Sequence, residues 1–258
     1  MMSTFDSLAP TYDADFTHSI IGAHLRNRVH NRLLDVFQTE DHILELGCGT
    51  GEDAHFLGTR GIHVTATDAS HTMLSITQQK TAHLKQLTAQ HLDLSQLPDN
   101  QFNTQYDGVL SNFGALNCIA DWTPLAQWLS TRVKSGGTLA FAVMSPYCIW
   151  ETLWHGLHLD FRTATRRWKS FASFAPDATT HLNIFYPSIQ RITNDFAPHF
   201  QRSQLQPLGL FLPPSDVYPV IEKRARLLKG LITADDAVAT VSQLALFADH
   251  YWIEFKRV

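Results

Sequence analysis

The residues most able to do chemistry together lie in one short segment, ILELGCGTGEDA, residues 43–54. Gly47, Gly49 and Gly51 follow an apolar run, so the backbone there can come close to a ligand with no Cβ in the way. The helix expected behind the turn offers unpaired N–H groups. Asp68 ends the next apolar run, 17 residues beyond Gly51. A carboxylate at the end of a second strand can accept hydrogen bonds from both hydroxyls of a ribose. This much describes a nucleoside binder. A dinucleotide turn wants a third small residue at position 52, where the chain has Glu52 followed by Asp53. Two carboxylates at a helix start repel a pyrophosphate. The spacing therefore counts against an NAD(P)-dependent oxidoreductase and favours a nucleoside without phosphates.

These residues need a scaffold, and the hydrophobic periodicity supplies one. Leu25, Val29, Leu33, Val36 and Phe37 recur at helical spacing and predict a helix over about 20–37. Strands are predicted at 43–46, 63–68, 84–93, 106–110 and 138–143, with helices after the glycine turn and around Met73, Leu74 and Ile76. Leu125, Trp128, Leu129 and Val133 form a further helical stripe, and Gly136-Gly137 reads as the turn that ends it. Alternating strand and helix imply a parallel sheet covered on both faces. After Pro146 the alternation breaks, and residues 147–187 show no readable strand. A helix around Ile189, Ile192 and Phe196 resumes the core, a strand is predicted over 200–212, helical composition follows over 215–246, and Tyr251–Phe255 reads as the last strand.

At this point the chain resembles the class I S-adenosylmethionine (SAM)-dependent methyltransferases. Glu45-x-Gly47-x-Gly49-x-Gly51 is similar to their first motif, and SAM carries no phosphate for Glu52 and Asp53 to repel. The resemblance covers residues 1 to about 146 well and the last strands loosely. It implies a Rossmann-like α/β fold: a seven-stranded, mostly parallel sheet with helices on both faces and a helical insertion after strand five. It implies SAM as cofactor, with S-adenosylhomocysteine as product. Carried over residue by residue, the cofactor site would comprise Glu45, Gly47, Gly49 and Gly51; Asp68, Ala69 and Met73 around ribose and adenine; Asp93 and Leu94 at the adenine amino group; and Asn112 and Phe113 near the methyl. Tyr12, within a leader Phe5-x-x-x-Ala9-x-x-Tyr12-Asp13-x-x-Phe16, would cover the ligand. Arg26 or Arg28 would pair with its carboxylate. A non-catalytic SAM-binding module remains an alternative.

The acceptor side carries less signal. Trp150, Leu153, Trp154, Leu157 and Phe161 share a helical face, which reads either as a substrate lid or as a helix anchored on the core. Trp150 and Trp154 are the candidate acceptor contacts. A hydroxyl acceptor would need a base, for which His155, His158 and Glu151 are candidates. The 258 residues read as one methyltransferase domain, 1–258, with 147–187 as a lid.

Bulk properties narrow the partners. A net charge of −4 leaves no basic excess to neutralise phosphates, and the segment after the fourth strand reads Ser-Asn-Phe-Gly rather than the Asp/Asn-Pro-Pro pattern of nucleic-acid amino-methylating enzymes. A small-molecule acceptor is expected, with no nucleic acid. No apolar run approaches the roughly 18 residues of a membrane span. Cys48, Cys118 and Cys148 are widely spaced, which suits the cytoplasm and predicts neither disulfide nor metal site.

Overall fold

A computed structural model describes residues 5–175 and 181–258. The first four residues ahead of the leader, and positions 176–180 of the expected lid, lie outside the described residues. The elements in chain order are α1 (Ile20–Val36), β1 (His42–Leu46), α2 (Glu52–Gly58), β2 (His63–Asp68), α3 (His71–Thr81), β3 (Leu87–His91), β4 (Tyr106–Ser111), α4 (Thr123–Ser130) and β5 (Val133–Met144). There follow α5 (Ile149–Leu157), α6 (Phe161–Ala164), β6 (Phe171–Phe174), β7 (Leu182–Phe185), α7 (Ile189–Phe196), β8 (Phe200–Leu208), α8 (Tyr218–Ile221), α9 (Ala225–Ala237) and β9 (His250–Arg257).

Seven strands form one sheet in the order β3-β2-β1-β4-β5-β9-β8. β1 to β5 pair in parallel, and β9 runs antiparallel between β5 and β8. From β1 the chain winds outward through β2 and β3, then returns to place β4 on the other side of β1. The carboxyl ends of β1 and β4 thus flank a reversal of winding, where open α/β sheets bind ligands.

Strands buried on both faces read as continuous apolar runs, and alternate residues separate into two cores. Leu139, Phe141, Tyr251, Ile253 and Phe255 join the core that includes Trp122, Leu125 and Phe196. Ala140, Ala142 and Trp252 face the other way, towards Ile21, Leu25, Val29 and Leu33 of α1. Small residues on that face let α1 approach closely. Gly108 shows why: a Cβ there would stand 2.3 Å from the Phe37 ring.

Two expectations are corrected. Val133 does not end a helical stripe, and Gly136-Gly137 is not a turn before a strand; α4 stops at Ser130, and β5 runs unbroken for 12 residues from Val133. Its register against β4 jumps from Tyr106↔Val133 to Gly108↔Thr138, and Gly136 has φ +77°. The glycines absorb extra residues in a bulge. The second correction concerns residues 147–187, which contain the antiparallel pair β6–β7, from Phe171↔Phe185 to Phe174↔Leu182. Each strand has four residues and neither is buried, so there was no period to read. The expected apolar face of the insertion is also divided. Trp150 and Trp154 pack on the α1-side core, whereas Leu153, Leu157 and Phe161 are 60%, 81% and 64% exposed.

Candidate functional site

The glycine turn leaves β1 and enters α2 with all three glycines at positive φ: +71° at Gly47, +54° at Gly49 and +78° at Gly51. They differ in what surrounds them. A Cβ on Gly47 would meet Ala115 at 2.2 Å, and one on Gly51 would meet Thr77 at 2.6 Å, so both are required by packing. Gly49 has nothing within 4 Å of that position. Its bare backbone faces open space.

Asp68, at the end of β2, closes the turn from beside it. Its Oδ2 accepts from Gly49 N at 2.9 Å and its Oδ1 from Ser70 N at 2.8 Å. Burial pushes its carboxyl upward despite these bonds. Ser70 caps α3 by accepting from Met73 N and donates to the carboxylate of Asp6. Ala69 is exposed and Met73 buried.

The leader is fastened over this edge. Asp13 accepts from Thr50 Oγ1 at 2.6 Å and from Lys80 Nζ at 2.9 Å, and Lys80 also reaches Glu52 at 3.1 Å. Burial alone would raise the Asp13 carboxyl, yet these donors hold it below the usual range. The Tyr12 phenol is pushed up by burial, opposed by Arg26. The Tyr12 ring leans on Phe16 with centroids 5.9 Å apart, and Phe16 meets Phe113 edge-on at 4.9 Å.

Beneath the leader lies a charged cluster that sequence reasoning read only in part. Asp53 Oδ1 accepts from His30 Nε2 at 2.7 Å, while its Oδ2 accepts from Arg26 Nη1 at 2.7 Å and Asn112 Nδ2 at 2.9 Å. Burial disfavours the charged Asp53, but Arg26 and His30 hold its carboxyl well below the usual range. The Arg26 guanidinium sits 4.9 Å from the centre of the Phe113 ring. Glu45 is buried beside it. Burial, with Asp53 and Asp68 nearby, pushes the Glu45 carboxyl well up, and Arg26 only partly opposes this. Among the described residues, Arg26 Nε and Glu45 Oε2 are both buried without a hydrogen-bond partner. The cluster offers one free donor and one free acceptor, as the carboxylate and ammonium of an amino-acid moiety require.

Glu45, Gly47, Gly49, Gly51, Asp68, Tyr12, Arg26, Asn112 and Phe113 therefore share one edge. Asp93, after β3, accepts from the N and Oγ of Ser95, and Leu94 packs on the α4-side core. Arg28 is placed elsewhere, bonded to the Asp235 carboxylate and Pro207 O. Glu151, expected as a candidate base, is buried and gripped by Arg166 and Arg167, which leaves its carboxylate no role as a free base. His155 pairs with Asp216 at 3.0 Å, and His158 Nδ1 lies 2.7 Å from Trp154 O. Trp150 Nε1 donates to Phe211 O at 2.6 Å. Sequence reasoning missed the bonds made by Asp53, and it missed Asp249 and His250. The only available signal for the last two was a polar pair directly before an apolar strand.

Known proteins with the same features agree on the class. Residues 44–139 match the pattern of a methyltransferase domain. The chain is 28% identical over 141 residues to a demethylmenaquinone methyltransferase of Clavibacter sepedonicus, covering 55% of this chain and 56% of that one. It is 31% identical over 148 residues to the putative methyltransferase YqeM of Bacillus subtilis (strain 168), covering 56% and 59% respectively. The match thus spans a little over half the length of these curated relatives. In fold, it is similar to a putative SAM-dependent methyltransferase from Listeria monocytogenes, with TM-score 0.65, 16% identity, and 92% and 97% of the two chains covered.

The sheet order and its reversal of winding define a Rossmann-like α/β fold, and residues 44–139 within it are the part that matches a methyltransferase domain.

Proposed function

We propose that this chain binds SAM across the carboxyl ends of β1, β2 and β4 and transfers its methyl group to a small, partly apolar metabolite, leaving S-adenosylhomocysteine. The observation that carries this reading is the pair of unpartnered buried groups, Arg26 Nε and Glu45 Oε2, beside the open backbone of Gly49. In this assignment Arg26 and Glu45 take the amino-acid end, and Asp68 accepts from the ribose. Ala69, Met73, Asp93 and Leu94 surround the adenine, Tyr12 covers the ligand, and Asn112 and Phe113 border the methyl. SAM supplies a methyl already activated on a positively charged sulfur. The chain's own residues then have two tasks, alignment and exclusion of water.

A small apolar acceptor fits the rings gathered there: Phe16 and the His250 imidazole meet Phe113, and Tyr218 stacks on Phe16. The net charge of −4 disfavours a nucleic acid. No helix among the described residues is long and apolar enough to cross a membrane. Trp150 and Trp154 hold α5 on the α1-side core, so their part in acceptor binding is to fix the roof of the site. Calorimetric titration with SAM, S-adenosylhomocysteine and NADH tests the reading. Saturable binding of the first two and none of NADH is expected. Binding of NADH alone would return the chain to the oxidoreductase class.

A further inference from the structure

β9 runs antiparallel to β5, so its first residue stands beside the last of β5, with Met144 paired to His250. That register brings His250 to the same sheet edge as Asn112 and Phe113. Side chains alternate along a strand, so His250 shares the face of Trp252, towards α1 and the leader. Its ring meets Phe113 edge-on with centroids 5.6 Å apart.

Asp249 holds that imidazole in one orientation. The Asp249 backbone is fixed by Ser145 N donating to its O at 3.0 Å and by its own N donating to Gly209 O at 3.0 Å. Arg167 donates to Asp249 O at 2.8 Å and to Oδ1 at 2.6 Å, leaving Oδ2 to face His250 Nδ1 at 2.9 Å. Arg167 also reaches Glu151, which Arg166 neutralises from the other side. Two guanidiniums thus face two carboxylates around the imidazole. In the neutral tautomer whose Nδ1–H donates to Asp249, Nε2 carries the lone pair. His250 is only 4% exposed, and Nε2 is buried with no hydrogen-bond partner among the described residues. An unmet buried nitrogen is costly, because the water it gave up is not replaced.

Resting on the methyltransferase reading above, we propose that His250, positioned by Asp249, is the base that accepts the proton of a hydroxyl acceptor. The acceptor oxygen bonds to the methyl carbon as the carbon–sulfur bond breaks and its electron pair stays on sulfur. The hydroxyl proton passes to Nε2, and water removes it after product leaves. Of the other groups in the insertion, His155 is turned to Asp216, His158 to Trp154 O, and Glu151 is clamped by two arginines.

The test uses His250→Asn, whose amide can still donate to Asp249 but has no atom in the place of Nε2. Long-range proton–nitrogen spectra of histidine-labelled protein, saturated with S-adenosylhomocysteine, should show one imidazole protonated at Nδ1 and bare at Nε2, absent from the variant. S-Adenosylhomocysteine affinity should be unchanged in the variant. Methyl transfer to phenol, 2-naphthol or 1-octanol should fall by about 10²–10⁴-fold, the usual contribution of a positioned base. A proton on Nε2, or variant turnover equal to wild type, overturns the role of His250 while leaving SAM binding intact. Methylation of amines but of no alcohol or phenol by the wild type overturns the hydroxyl class. If none of these compounds is methylated, the wild-type spectrum alone decides, whether or not the variant folds. Absence of S-adenosylhomocysteine binding by the wild type would instead sink the methyltransferase reading.

Discussion

Asp53 and Asp249 are both buried aspartates held well below the usual carboxylate range, and each has an arginine and a histidine beside it. They use those partners differently. Asp53 receives Arg26 and His30 from α1 and Asn112 from beyond β4. His30 gives it Nε2 and lays its ring flat on Phe56, centroids 3.7 Å apart. At Asp249 the histidine turns Nδ1 inward and keeps Nε2 free. The same chemical parts thus make a clamp at one end of the sheet edge and an oriented base at the other. Which ring nitrogen faces the carboxylate decides between them.

The comparison has a common premise, that each arginine is essential to the charge balance around its aspartate. Removing one partner from a buried pair strands a charge and costs about 3–5 kcal/mol. Arg167→Met strands Asp249, while Arg166 still holds Glu151, so a loss of that size is expected in urea unfolding at neutral pH. For Asp249 itself, a depressed folded pKa means stability present above the unfolded value and lost as pH falls through the folded one. The deficit of Arg167→Met should therefore shrink as acid protonates the stranded Asp249 carboxylate. A deficit that is small at neutral pH, or constant with pH, would break the clamp description.

The next largest effect separates the ligand edge from both networks. Asp68→Ala should weaken SAM binding by roughly 1.5–3 kcal/mol, the range for hydrogen bonds to a charged group. Asp68 also satisfies two backbone amides, Gly49 N and Ser70 N, so the melting temperature of the variant is read alongside its affinity. Calorimetry with unchanged SAM affinity would remove Asp68 from the site.

Legibility followed the kind of interaction at each end. The glycine turn was readable because its chemistry belongs to the backbone, which demands fixed residue types at fixed spacing. β1, β2 and β4 were readable because strands buried on both faces give apolar runs. The β5 bulge was hidden because Gly136-Gly137 serves a turn and a bulge equally well. Asp53 was visible only as an acid unsuited to phosphate, since its partners are 27 residues upstream at Arg26 and 59 downstream at Asn112. His250 gave no signal beyond that of a polar residue at the head of an apolar strand. Its environment is assembled from the insertion, the end of β5 and the start of β9, and no spacing rule connects side chains brought together by tertiary packing.

The smallest expected effect tests whether the ligand edge itself contains an unbalanced charge. Glu45 differs from both aspartates: burial with Asp53 and Asp68 nearby outweighs Arg26 and pushes its carboxyl well up. For an acid with a raised folded pKa, the native state binds more protons than the unfolded chain between the two values. Stability therefore falls as pH rises from the ordinary carboxylate range towards the raised one. Glu45→Gln keeps the shape and removes the titration, so its melting temperature relative to wild type should rise as pH climbs above the ordinary carboxylate range. An amino-acid ammonium bound at Oε2 would stabilise the ionised carboxylate, so saturating SAM should flatten that difference. A variant whose relative stability falls with pH would mean that Arg26 already neutralises Glu45, and the acceptor half of the proposed amino-acid subsite would be lost.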